Sequence, residues 1–183
     1  MGTGRRKAEC VMADTGFKTT GAVVSTGTWS NFTTTRINTA DNSRATTTAG
    51  TFDAATIKNF SFGLSSGVTI DGIEVNTEFS NVLGTATATL QISLSWNNGT
   101  NYTATKSDTV TSTTDKNSTL GGATDTWGRT WTDTEFADGT FLVKVEGKTT
   151  AGGSCRLDFL QIKVYFTVPS TGASGAYYIF MEA

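Results

Sequence analysis

Histidine is absent from the 183-residue chain. Its absence removes the side chain that most often serves as a general base near neutral pH, and with it the commonest zinc ligand. A serine or cysteine nucleophile would lack its usual activating base. The sequence therefore predicts no catalytic residues, no metal and no cofactor, and we expect a protein that is not an enzyme.

Charged residues are also scarce, at 16% of the chain, and the formal net charge is -2. Such a chain has no basic field to hold a nucleic-acid backbone or an anionic membrane surface. No apolar run approaches the length that spans a bilayer, and no apolar stretch of a secretory signal follows the N-terminal basic residues. Neither nucleic acid nor membrane is expected as a partner.

Cysteine is limited to Cys10 and Cys155, which show none of the C-x-x-C or Cys/His spacings of metal or redox motifs. We expect either free thiols or a single bridge, within or between chains.

The chain is rich in threonine and glycine, and its apolar residues alternate with polar ones. "TATATLQISLSW" places Leu90, Ile92 and Leu94 on one face, and "TFLVKVEG" does the same for Phe141 and Val143. A period of two is typical of strands with one buried face. No stretch has a sustained helical period.

Three further segments extend this pattern. "FSFGL" predicts a strand, and "IDGIEVNTEF" predicts a turn at Asp71 and Gly72 followed by another strand. In "RLDFLQIKVYFTV" the apolar phase changes between Leu157 and Leu160, which predicts a β-bulge near Phe159.

These features predict an all-β fold, an antiparallel β-sandwich of jelly-roll or immunoglobulin-like kind. The expected organisation is an N-terminal arm over residues 1–22, a sandwich domain over 23–168 and a C-terminal docking tail over 169–183. Both arms are expected to be extended.

The two arms carry the residues expected to mediate assembly. An apolar cluster at the end of a glycine- and serine-rich linker is an aggregation hazard unless it is covered. It could fold back on its own sandwich, or it could add to a neighbouring subunit, and a homo-oligomer is expected. The expected docking residues are Tyr177, Tyr178, Ile179, Phe180 and Met181 in the tail and Arg5, Arg6 and Lys7 in the arm.

"DTWGRTWTDTEF" raises the question of a site. The four tryptophans, Trp29, Trp96, Trp127 and Trp131, could form a platform that stacks on sugars, or they could pack in the core. The nearby acidic residues could form a glycosidase pair, three of them, Asp133, Glu135 and Asp138, could form a calcium site, or they could simply cap turns. These acidic residues are Asp125, Asp133, Glu135 and Asp138.

Four segments resemble, in order, the pattern of a known family. "GTWSNFTTTRINTADNSRATTT" resembles an entry segment with Trp29, Asn31, Asp41 and Ala45 at its key positions. "FSFGLSSGVTIDGIEVNTEF" follows, with Ser66 where proline is usual. "GGATDTWGRTWTDTEF" matches G-G-x-x-D-x-W-G-x-x-W-T-x-x-x-F, and "LDFLQIKVYFT" resembles the closing strand.

These segments are similar to a family of β-sandwich proteins and domains in tailed bacteriophages and prophages, mostly without an assigned activity. The resemblance implies a non-enzymatic virion structural protein, as a capsid decoration, head fibre, collar or tail component. Its partners would be coat or tail proteins and itself, and it would be made in the host cytoplasm. The alternative is a glycan- or receptor-binding module on the particle surface.

In this pattern "DTWGRTWTDTEF" belongs to the fold. Asp125 would accept backbone donors within its turn. Trp127 would cover one end of the core, and Trp131 would pack beside Phe136.

Overall fold

The computed structural model describes residues 11–150 and 152–169. It confirms an all-β antiparallel sandwich of two sheets. Sheet A has the strand order β1-β10-β5-β8, with β3 also paired to β10, and sheet B has the order β2-β4-β9-β6-β7. The strands are β1 (Val11–Asp14), β2 (Ala22–Ser25), β3 (Ala45–Thr47), β4 (Asp53–Lys58), β5 (Thr69–Asn81), β6 (Ala88–Ser95), β7 (Lys106–Val110), β8 (Lys116–Gly122), β9 (Leu142–Thr149) and β10 (Cys155–Val168).

The core lies between the two sheets and is filled by the alternating apolar residues of the long strands. Ile73, Val75 and Phe79 of β5 face Leu90 and Ile92 of β6, and all five are buried. Burial of a side chain of this size contributes about 1.5–3 kcal/mol. The residues between them in sequence therefore lie on the outer faces of the sheets.

The β-bulge predicted near Phe159 is confirmed. Leu157 pairs with Phe79 and Phe159 pairs with Glu78, so Asp158 is the extra residue of β10. Because of this insertion, Leu157 and Leu160 both face the core although they are three residues apart.

Two local predictions were wrong. Phe60 and Phe62 are buried, but "FSFGL" is not a strand, because Asn59, Ser61 and Gly63 all have positive φ values. Residues in the left-handed region interrupt an extended backbone while still sending every second side chain inward.

Asp71 and Gly72 do not form a turn and lie within the continuous strand β5. A Cβ at position 72 would collide with the backbone carbonyl of Gly122, so glycine serves close strand packing there.

The expected boundary of the N-terminal arm also needs correction. Residues 1–22 were assigned to an arm, but Val11–Asp14 form β1 and pair with β10. The strand was missed because it is short and largely exposed, so its sequence shows no alternation. Apart from the strands, the described chain contains a four-residue α-helix, α1 (Thr34–Ile37), and a 3-10 turn, η1 (Asp133–Phe136).

No helix of residues 11–150 and 152–169 has the length and hydropathy to cross a bilayer. The expected docking residues, Arg5, Arg6, Lys7, Tyr177, Tyr178, Ile179, Phe180 and Met181, lie outside the described residues. Cys10 lies outside them as well.

Candidate binding surface

The loop that follows β8 is held to the fold by Asp125 and Trp127. Asp125 Oδ1 accepts a hydrogen bond of 2.9 Å from the Trp127 N–H, and its Oδ2 lies 2.8 Å from Lys106 Nζ. Trp127 has a φ of 56° and is buried, and its indole Nε1 donates to the Ile73 carbonyl at 2.9 Å. Burial raises the pKa of Asp125, but the Lys106 ammonium and the Trp127 N–H outweigh burial and lower it overall.

The second half of the motif forms an aromatic cluster closed by an ion pair. Trp131 packs against Phe136, with ring centroids 5.2 Å apart, and its Nε1 donates to the Thr126 carbonyl at 2.7 Å. The Arg129 guanidinium lies over both Trp131 and Trp96, at 4.3 and 4.1 Å from their ring centroids. Arg129 also donates two hydrogen bonds to Glu135, of 2.8 and 3.1 Å.

The hypothesis of a tryptophan platform is therefore wrong. Trp29, Trp127 and Trp131 are only 3–5% exposed, and each indole nitrogen is bonded to a backbone carbonyl. Trp96 is half-buried, has Arg129 over its ring, and meets Trp131 edge-on at 89°. A sugar-stacking surface needs exposed coplanar rings, and the indoles here do not supply them.

The acidic residues in and just after the motif accept hydrogen bonds from neighbouring groups. Asp133 accepts from the backbone N–H groups of Gly67 and Thr134, and Asp138 accepts from the N–H and hydroxyl of Ser61. Glu135 is bonded to Arg129 and closes a capping box with Thr132. These carboxylates fasten loops together and do not converge on one point as metal ligands.

A more open surface lies on the outer face of sheet A. Residues of β5, β8 and β10 that alternate with core residues point outward here, and the strand register places them in rows. Asn76 stands between Thr119 and Gln161, and in the next row Glu78 stands between Asn117 and Phe159.

These rows form a shallow groove of about 160 Å³, which we call the sheet A groove. Its outward-facing side chains are those of Asn76, Asn117, Thr119, Gln161 and the half-buried Phe159, because Thr77 and Ser118 are buried at the alternate positions. The lining residues are Asn76, Thr77, Asn117, Ser118, Thr119, Phe159 and Gln161. Among the described residues, the lining side chains carry no charge, and Glu78 stands at the edge of the groove beside Asn117 and Phe159.

Asn76 Oδ1 is the notable polar atom of the groove. It is buried, and no donor in the described part of the chain bonds to it. Leaving a buried acceptor without a donor costs about 1–3 kcal/mol.

Charged groups lie at both ends of the groove. At one end Glu74 accepts a hydrogen bond of 2.6 Å from the Tyr165 hydroxyl, which raises the pKa of Tyr165 to about 12. At the other end burial raises the pKa of Glu78, and the nearby carboxylates of Asp115 and Asp158 raise it further, against the lowering effect of Arg44.

A larger hollow of about 390 Å³ lies between the Ser61–Ser66 segment and η1. Its floor contains Phe62 and Phe136, and its rim contains Asp133 and Asp138. Those two carboxylates already accept hydrogen bonds from neighbouring backbone and hydroxyl groups. The sheet A groove is the better candidate because its polar side chains come from three strands in register and carry no charge.

Sequence analysis did not single out any residue of the sheet A groove as a binding residue. Asn76 and Gln161 could be assigned to an outer face from the alternation alone. Their proximity depends on β5 pairing with β10, and residues 82–154 lie between these two strands. Alternation carries no information about that pairing.

Two solved structures are similar to this chain in fold. One is a truncated AlyQ with CBM32 and alginate lyase domains, at 14% identity and a TM-score of 0.46, with 85% of this chain and 34% of that chain covered. The other is the CBM22-1 xylan-binding domain from Paenibacillus barcinonensis Xyn10C, at 15% identity and a TM-score of 0.41, with 88% of this chain and 97% of that chain covered.

Both neighbours include a carbohydrate-binding module, and the likeness concerns the β-sandwich fold. No family model and no curated protein matches the sequence, so the resemblance to the phage family stays a prediction.

Proposed function

We propose that this protein is a non-enzymatic glycan-binding module and that its ligand lies in the sheet A groove. The observation that carries the proposal is the set of uncharged amide and hydroxyl side chains that three neighbouring strands bring together along the sheet A groove. Ligand hydroxyls would exchange hydrogen bonds with these amides and hydroxyls.

The chemistry of the groove favours a neutral polyhydroxyl ligand. Each asparagine or glutamine amide offers donors and an acceptor, and each hydroxyl offers both, which matches the groups of a sugar. Phe159 adds an apolar ring face for the C–H side of a pyranose. The groove has no basic residue in its lining, so it has little attraction for a polyanion.

The test is a glycan array with the purified full-length protein, followed by titration of the strongest ligand. We expect Asn76→Ala to weaken binding about tenfold, since one lost hydrogen bond of this kind is worth roughly 1.4 kcal/mol. Asn101→Ala is the matched control, because Asn101 is exposed in the turn after β6 on sheet B.

Binding of no glycan, or equal binding by wild type and Asn76→Ala, would contradict the proposal. Thermal unfolding of both variants checks that any loss of binding does not come from loss of the fold.

A second candidate function is that of a structural component of a tailed-phage particle, in contact with coat or tail proteins and with copies of itself. It is favoured by an exposed apolar edge where β1 pairs with the end of β10. Val11 and Met12 are each 61% exposed there, and Val11 pairs with Val168, which is 42% exposed. An apolar edge strand is a template for strand addition.

This second candidate is tested by measuring oligomeric mass by sedimentation. The proteins compared are the full-length protein, a chain ending at Val168, and the Met12→Lys variant. The second candidate would be supported if the full-length protein associates and if the truncation or Met12→Lys abolishes this association. A monomeric full-length protein would contradict self-assembly, and failure to bind isolated virions would contradict the wider role.

A further inference from the structure

A cluster of three carboxylates lies beside the sheet A groove. One oxygen from each of Glu78, Asp115 and Asp158 lies within 4.8 Å of the others. The three residues come from β5, from the loop between β7 and β8, and from the bulge of β10. Sequence analysis missed the cluster because its members are far apart in the chain.

Asp158 is a buried carboxylate with one oxygen that lacks a hydrogen-bond donor. The residue is only 1% exposed, and its Oδ2 accepts a hydrogen bond of 3.0 Å from the Asn42 N–H. Its Oδ1 is buried with no donor among the described residues. A buried carboxylate oxygen with no partner is costly, because burial removes the water that would stabilise its charge.

The neighbouring arginines do not complete the site. Arg44 donates to both oxygens of Asp115, from Nε to Oδ1 at 3.1 Å and from Nη2 to Oδ2. Arg156 donates through Nη2 to the carbonyls of Asn81 and Thr113, at 2.6 and 3.0 Å. Three carboxylates thus face two guanidiniums, and no cationic nitrogen of either reaches Asp158 or Glu78 within hydrogen-bonding distance.

We propose that Glu78, Asp115 and Asp158 form a calcium site that ties β5, the β7–β8 loop and the β10 bulge together. The donor set is all oxygen, which suits hard divalent cations and not soft ones.

The origin of the three carboxylates in separate segments favours Ca²⁺ over Mg²⁺. Ligands at Ca²⁺ lie about 2.3–2.6 Å from the ion, so two of them stand up to roughly 5 Å apart. Mg²⁺ requires about 2.0–2.1 Å and near-ideal octahedral geometry, which is a tighter demand on three separate segments.

The test is thermal unfolding of the full-length protein in CaCl₂, in MgCl₂ and in EDTA. At a Ca²⁺ concentration of about 100 times the Kd, we expect the Tm to rise by about 5–10 °C above its value in EDTA. MgCl₂ at the same concentration should give a smaller rise.

Asp158→Asn and Glu78→Gln are the informative variants, and Glu74→Gln is their control on the same face of β5. Both variants should lose the Ca²⁺-dependent rise, and Glu74→Gln should keep it. In EDTA we expect Asp158→Asn to be at least as stable as the wild type, because the change removes an uncompensated charge.

Equal Tm values of the wild type in CaCl₂ and EDTA would overturn the proposal. A Ca²⁺-dependent rise in Tm that persists in Glu78→Gln would overturn it as well. Glu78 is partly exposed, so this variant should fold even if Asp158→Asn does not. Since no glycan is present, the result is independent of the proposed glycan-binding function.

Discussion

The indole nitrogen of Trp127 donates a hydrogen bond of 2.9 Å to the backbone carbonyl of Ile73, and this contact fixes the loop after β8 to sheet A. Trp127→Phe keeps an aromatic ring but leaves the carbonyl without this donor. We expect a loss of about 1–3 kcal/mol in the free energy of unfolding, measured by denaturant titration. A variant as stable as the wild type would show that the hydrogen bond does not anchor the loop.

Gly72 lies where β5 passes close to the loop after β8. Because a Cβ there would meet backbone atoms of Gly122 and Ala123, we expect Gly72→Ala to destabilise the protein by about 1–3 kcal/mol or to prevent folding. The matched control is Gly84→Ala, because a Cβ at Gly84 has open space around it. The free energies of unfolding of both variants are measured by chemical denaturation. Equal losses of stability would show that β5 does not pass close to Gly122 and Ala123 at position 72.

Glu135 should make stability depend on pH. Burial raises its pKa, but hydrogen bonds from Arg129 and Thr132 outweigh burial, so the pKa is lowered overall. A carboxyl with a lowered folded pKa contributes stability that is present above its unfolded pKa, near 4.3, and is lost as the pH falls through the folded pKa.

We therefore expect Glu135→Gln to be less stable than the wild type near neutral pH, with a difference that shrinks in acid. Unfolding free energies across this pH range measure it. In a protein that also carries Arg129→Met, the loss of stability caused by Glu135→Gln should depend much less on pH. If that pH dependence is unchanged, it does not come from the ion pair between Glu135 and Arg129.

Cys155 should be unreactive in the folded protein. Its thiol is fully buried in β10, and burial raises its pKa to about 12. In a Cys10→Ser variant, we expect a thiol reagent at pH 8 to modify Cys155 only when the chain unfolds. Rapid modification without denaturant would mean that the end of β10 at Cys155 opens readily.

Sequence patterns predicted the sandwich where burial alternates strictly. They failed at "FSFGL", where the backbone leaves the extended region, and at the short exposed strand β1. The phase change between Leu157 and Leu160 was enough to predict the bulge, because each residue had to face the same core. The segment around Phe60 and Phe62 showed the same alternation, but left-handed residues produce it there without a strand.

The candidate sites depend on strand order, which local patterns do not contain. Asn76 and Gln161 meet because β5 pairs with β10, and Asp158 meets Glu78 because the bulge falls at that point of the register. The tryptophan motif drew attention because its residues are large and close in sequence, but it serves the fold. The groove residues are small and polar and resemble any outward-facing positions of a sheet.

The measurement that tests the account most directly is a calorimetric titration of the strongest array ligand into wild type, Phe159→Ala and Phe52→Ala. Phe159 lines the sheet A groove, whereas Phe52 is partly exposed outside it, beside Lys148. If the groove binds the glycan, Phe159→Ala will weaken affinity about tenfold or more and Phe52→Ala will leave it unchanged. Equal affinities of all three proteins, with their folds intact, would contradict a binding site on the outer face of sheet A.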